Sequence, residues 1–132
     1  MRNSPLWLLN ESLSQLDHNR LIALINSLQE GFLAIDGNGK IELSNGRALS
    51  LLDDHSLKGK LLEDSMVLID SAGQKVNLMA LIERKGDSLP STGFHIKHAD
   101  GDLIPVFVSV APVRGYKNKS EGGYVILLNE AN

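Results

Sequence analysis

Asp36-Gly37-Asn38-Gly39-Lys40 opens like a calcium-binding loop, with oxygen-bearing side chains at alternate positions. Such a loop needs a third oxygen ligand at its fifth position and a bidentate Glu at its twelfth. Those positions hold Lys40 and Arg47, two cations, so the pattern fails as a calcium site. His95 and His98 are three apart. On a strand that spacing sends the side chains to opposite faces, and they cannot share a metal ion. Gly59-Lys60 is followed by Leu61, and Asp54 stands where a phosphate loop needs its first Gly, so no P-loop exists. Gly37, Gly39 and Gly46 sit in no βαβ unit and open no dinucleotide site. Asp53, Asp54 and His55 are the best candidates for acid–base chemistry. Adjacent carboxylates at a helix end more often simply face water. Ser109 has no His and Asp in a triad-like arrangement and reads as a buried strand serine. With no cysteine, the chain has no disulfide, thiol nucleophile or thiolate metal site.

The elements around these residues are legible from periodicity and turn chemistry. Ser4-Pro5 is a good helix start. Leu6, Leu9, Leu13 and Leu16 follow at spacings of 3, 4 and 3, a short heptad-type seam for dimerisation, the alternative being that the segment packs on its own domain. The seam fails at Arg20, and Leu21, Leu24, Ile25 and Leu28 begin a second apolar face. Either one long helix changes its buried face near Asp17 or two helices meet there. Phe32 to Asp36 and Lys40 to Ser44 form a hairpin around a tight Gly37-Asn38-Gly39 turn that carries the Asn-Gly hairpin signal, and all three residues tolerate positive φ. Asn45 is an N-cap for a helix over 46–52. Lys58-Gly59-Lys60 marks a turn, Leu61-Leu62 a helical turn, and 67–70 an extended piece before the turn Ser71-Ala72-Gly73-Gln74. Val76, Met79, Ala80 and Ile82 suggest a helix ending at Gly86. Three strands close the chain: 92–98, 103–111 after the turn Asp100-Gly101, and 124–128 beyond a polar loop over 114–122. Pro105 argues for an edge or bulge in the second of these. The expected class is α+β: an N-terminal helix, then a five-stranded antiparallel sheet with short helices on one face.

Composition bounds the function. The 132 residues make one domain the natural expectation, with 42% apolar and 22% charged residues. The formal charge of −3, with no basic cluster, argues against nucleic acid as a partner. No apolar run reaches the length of a membrane span, and the start lacks a signal-peptide core. We therefore expect a cytoplasmic chain without direct membrane insertion.

Several segments, in order, resemble a PAS domain, a sensory and protein-interaction module. Leu28-Gln29-Glu30-Gly31 leading into 32–36, then Gly39-Lys40-Ile41 and Asn45, resembles the family's first hairpin and the Asn that follows it. Leu51-Leu52 and Leu57-Lys58-Gly59-Lys60 resemble its short-helix region. Asp100-Gly101-Asp102 with 106–112 resembles a later strand hairpin, and 122–128 the last strand. The resemblance covers 17–132, leaving 1–16 as an N-terminal helical segment. The middle segment, 67–84, resembles PAS domains found in front of cyclic-dinucleotide cyclases, phosphodiesterases and histidine kinases. Many PAS domains leave the last strand through Asp-Ile-Thr. Here Glu130-Ala131-Asn132 keeps only the carboxylate, which assigns a relay role to Asn129 and Glu130.

The resemblance implies a non-catalytic bacterial module that senses a ligand or partner, forms a homodimer and passes the state to an effector domain or partner signalling protein. A ligand pocket would be lined by Phe32, Leu51, Met66, Met79, Phe94 and Phe107; the alternative is a filled core that holds nothing. Photoadduct flavin needs a reactive Cys, which is lacking, and haem needs an axial His on the helix before the third strand, which carries none. Met79 reads as a core methionine. The expected cofactor is thus none, with non-covalent flavin or a small organic molecule left open. Two other functions are a ligand-free interaction scaffold and a small α+β enzyme built on Asp53, Asp54 and His55.

Overall fold

The computed structural model of the chain describes residues 6–113 and 122–131, with side chains from residue 17 onward. The expected cap at Ser4-Pro5, the side chains of Leu6, Leu9, Leu13 and Leu16, and the loop 114–121 lie outside the described residues. The first element, α1 (Leu6–Ser27), is one continuous helix of 22 residues. No break occurs at Asp17, and the boundary expected between 16 and 17 falls inside the helix. Leu21, Leu24 and Leu28 are exposed, whereas Ile25 is buried.

Strands β1 (Gly31–Ile35) and β2 (Ile41–Ser44) form the first hairpin, and α2 (Gly46–Leu52) and α3 (Leu62–Ser65) follow. Next come β3 (Val67–Ile69), β4 (Lys75–Val76) and α4 (Leu78–Arg84). The chain ends in β5 (Leu89–Lys97), β6 (Leu103–Pro112) and β7 (Tyr124–Glu130). One antiparallel sheet contains them all, in the order β2-β1-β7-β6-β5-β3-β4.

The sheet therefore has seven strands, not five. The two extra strands are a short hairpin on the edge beyond β5, where Leu68 faces Val76 and Ile69 faces Lys75. Val76 sits three residues before Met79, which mimics helical spacing. Asn77 decides the matter by accepting the Ala80 N–H and capping α4 after Val76, which leaves Lys75 and Val76 free to pair as a strand. Likewise β5 starts at Leu89, three residues earlier than expected, with a register shift between Leu89 and Thr92.

Three hairpins use one device. Asp36 N–H donates to Lys40 O and Gly39 N–H to Asp36 O; Asp70 with Gln74 and Gly73, and His98 with Asp102 and Gly101, repeat both bonds. Gly39, Gly73 and Gly101 take φ of 87°, 82° and 96°. This is a three-residue loop closed by a left-handed Gly, and in the first hairpin it is the expected Gly37-Asn38-Gly39 turn, with Gly37 and Asn38 keeping negative φ. Side chains tighten it: Asp36 Oδ1 accepts from Asn38 and Lys40, and Asp70 Oδ1 from Ala72 and Gln74, all at 2.9 Å.

One face of the sheet is buried under α2, α3 and α4. Leu33, Ile35, Leu68, Phe94, Ile96, Val106, Val108, Val110, Ile126 and Leu128 pack there with Ala48, Leu51, Leu57, Leu62 and Ile82. Gly31 lets α2 approach β1: a Cβ there would lie 3.2 Å from Ala48 Cα and from Leu128 Cβ. Pro105, expected at an edge or bulge, stands in the interior strand β6. Its carbonyl accepts from Ala131, just past the last β6–β7 pair (Val106 with Glu130), so the missing N–H falls where the ladder has ended.

Candidate functional site

The turn that opens α2 gathers both ends of the domain. Asn45 is 1% exposed and uses its whole side chain. Its Nδ2 donates to Ile25 O in the last turn of α1 and to Glu30 O, both at 3.0 Å. Its Oδ1 accepts from Phe32 at 2.9 Å and from Ala48 at 3.0 Å. One amide thus ties the incoming helix, the connection, β1 and the α2 N-terminus together. Two residues on, Arg47 donates to Glu130 Oε1 at 2.7 Å. Gln29, Arg47, Asn129 and Glu130 line an open notch of about 410 Å³ between the incoming and outgoing chain.

A second feature lies on the helical side. A cavity of about 260 Å³ is floored by Leu62, Met66, Val76, Leu78 and Met79, with Glu63, Lys75 and Asn77 at its rim. A neighbouring cavity of about 310 Å³ shares Leu62, Glu63, Asn77 and Met79 and runs to the hairpin tip at Gly37, Asn38 and Gly39. Their shared walls make a trough between the first hairpin, α3, β4 and α4.

No protein-family model matches the sequence, and no curated protein matches it. Solved structures do. A PAS domain from a two-component sensor histidine kinase superposes with a TM-score of 0.67 at 15% identity, over 89% of this chain and 99% of that one. The PAS domain of nitrogen regulation protein NR(II) from Vibrio parahaemolyticus gives 0.62 at 17% identity, over 83% and 95%. The chain has the PAS-domain fold. A chain of the E. coli DhaR(N)-DhaL complex gives 0.65 at 16% identity; 96% of the present chain matches 40% of that longer one.

The PAS fold separates the six residues expected to line one pocket. Leu51, Met66 and Phe94 lie in the packed core between sheet and helices, and Met79 packs against it. Of these, Met66 and Met79 reach the trough. Phe32 and Phe107 are on the other face of the sheet. Strand alternation puts Phe32 opposite Leu127, out of phase with buried Gly31 and Leu33, and Phe107 opposite Asn129, between buried Val106 and Val108. Phe107 is 46% exposed, with its ring over Gly93. The six cannot surround one ligand.

The acid–base candidates do not converge either. Asp54 Oδ1 accepts from the backbone of His55 and Ser56, and its Oδ2 pairs with Lys60 Nζ at 3.0 Å. The Lys60 hydrogen bond, helped by those two N–H groups, holds its pKa below the usual carboxylate value. Asp53 caps α2 in a left-handed conformation, and Asp53 and His55 are exposed. His95 is exposed on the outer face, whereas His98 donates from Nε2 to Leu51 O at 2.7 Å on the helical side. Ser109 is half-buried on the outer face, not fully buried. Among the described residues, no three His, Cys, Asp or Glu side chains gather as a metal site, and no helix is long and apolar enough to cross a membrane.

The chain has no Cys, and α4, Leu78–Arg84, carries Met79 but no His. Sequence reasoning missed Arg47, which it met only as a residue that spoils a calcium loop. It also missed the bond from Tyr124 Oη to Asp87 Oδ1 at 3.0 Å. Burial and that aspartate push the Tyr124 pKa up. Neither pair carries a local signal, since the partners are 83 and 37 residues apart.

Proposed function

We propose that this chain is a non-catalytic PAS sensory and dimerisation module of a bacterial, cytoplasmic signal-transduction protein. It relays the state of a ligand or partner to an effector of the cyclic-dinucleotide or histidine-kinase type. The observation that carries this reading is the fold together with its two ends: a long helix with exposed Leu21 and Leu24 leads in through Leu28 and Gln29, and the last strand ends at Glu130, which shares a notch with Gln29. The sensor-kinase PAS domain among the similar structures supports the output side. In this reading, Leu6, Leu9, Leu13 and Leu16 form the homodimer seam, and Asn129 and Glu130 form the relay. A small apolar molecule would enter the trough over Met66 and Met79.

A specific observation favours the scaffold alternative. Leu51, Met66 and Phe94 belong to one cluster of buried side chains between sheet and helices, so these three positions serve the packing of the core. Native mass spectrometry with an absorbance scan separates the two. A bound mass that Met79→Trp displaces supports sensing through the trough. A chain that carries no added mass and no absorbance beyond its own aromatic residues, with or without Met79→Trp, overturns the ligand and supports the scaffold.

A further inference from the structure

Residues 17–21, 23 and 24 are exposed, and Ile25 is the buried residue in the described part of α1. The Asn45 amide also holds the end of α1, at Ile25 O. Arg47 lies in the same turn of α2, two residues from that amide, and grips Glu130 at the end of β7. A helical turn is stiff over this distance, because its backbone bonds fix each residue against the next. A shift of α1 that pulls on Asn45 therefore also moves Arg47.

The ion pair suits a contact that is remade rather than permanent. Its side chains are 38% and 34% exposed, so water and salt screen it. Gln29, on the connection from α1, and Asn129, beside Glu130, face the same notch and can take up hydrogen bonds when it opens.

We propose that the first turn of α2 is the joint coupling α1 to the end of β7, with Asn45 holding the incoming helix and Arg47 holding Glu130. This rests on the reading of Glu130 as the relay end and names the residues that load it. A competing route bypasses Arg47 altogether: β1 pairs directly with β7, Gly31 opposite Leu128, and could carry a displacement through the ladder.

The Ala131 N–H, bonded to Pro105 O at 2.8 Å, reports on the strand end beside Glu130. Its hydrogen exchange is measured by NMR in the wild-type chain, Ile25→Ala, Arg47→Met and the double variant. Exchange is referenced to Leu68, in the core near the far edge of the sheet, to remove any change in global stability. Ile25→Ala loosens the α1 anchor and is expected to change Ala131 exchange by about threefold or more. In the Arg47→Met background the same substitution is expected to leave it within about 1.5-fold. An equal response in both backgrounds puts the coupling in the β1–β7 ladder and overturns the joint. No response in either background also overturns it. Should Ile25→Ala unfold, Leu24→Gly softens α1 at an exposed position and replaces it in the same cycle. Either failure leaves the sensory reading standing, because the readout requires neither ligand nor effector.

Discussion

Asn45 and Phe32 hold each other at two points: Asn45 N–H donates to Phe32 O at 3.1 Å, and Phe32 N–H donates to Asn45 Oδ1 at 2.9 Å. The side chain's other bonds reach Ile25 O, Glu30 O and Ala48 N–H. Asn45→Ala removes the cap of α2 and strands buried backbone groups on three elements. A loss of about 3 kcal/mol in urea unfolding is expected. Asn45→Asp keeps the cap acceptor but turns a carboxylate toward two carbonyls, and is expected to cost at least as much. Wild-type stability in Asn45→Asp would show that the amide donors are not what holds α1.

Gly123 precedes β7 with φ of 68°, and a Cβ there would collide with Ile35 O and lie 2.8 Å from Asp36 Cα. Backbone on both sides cannot yield cheaply. Gly123→Ala is expected to cost more than about 2 kcal/mol, the sum of a left-handed conformation and a clash. Gly46 is the contrast, in the first turn of α2 with open space around it. Gly46→Ala is expected to raise stability by about 0.5 kcal/mol. Thermal unfolding of the two variants should move in opposite directions.

The leucine seam predicts a mass. Leu9→Asp combined with Leu13→Asp places two carboxylates in the proposed homodimer contact, where burying them unpaired is costly. Light scattering is expected to show dimer for the wild type and monomer for the double variant, with the circular dichroism of the sheet intact. An unchanged mass with the fold intact would remove the seam from the functional reading.

Tyr124 predicts an alkaline limb. Its folded pKa is raised by burial and by Asp87, while the unfolded value is about 10. The folded state thus binds this proton more tightly. That stabilisation is fully present below about pH 10 and is lost as pH rises through the folded value. Tyr124→Phe should unfold with a shallower pH dependence above about pH 10. Equal slopes in the two proteins would place the raised pKa elsewhere.

Much of the fold was legible because its signals are local. Asp36, Asp70 and Asp100 each precede a Gly that closes a hairpin, and Asn45 caps its helix in a way the sequence announces. Val76 reads as helical from sequence because its spacing to Met79 and Ile82 is also compatible with a strand that stops at a capping Asn77. The trough was only half legible. Met66 and Met79 were expected in one pocket with Phe32, Leu51, Phe94 and Phe107, whereas the trough's other walls come from a hairpin tip and a short edge strand that meet only after folding.

The sequence by itself determined most of the element order, the places of the turns and the absence of cysteine chemistry, since each depends on a few neighbouring residues; the short edge hairpin of β3 and β4 escaped it. It could not say which way Phe32 and Phe107 face. The runs 32–35 and 103–111 are apolar nearly throughout, so the alternation that marks a buried face is erased. The tertiary structure decided it by laying α2 against β1, where Gly31 admits the close approach of Ala48. The same packing brought Arg47 to Glu130, a contact across 83 residues that chain connectivity does not encode.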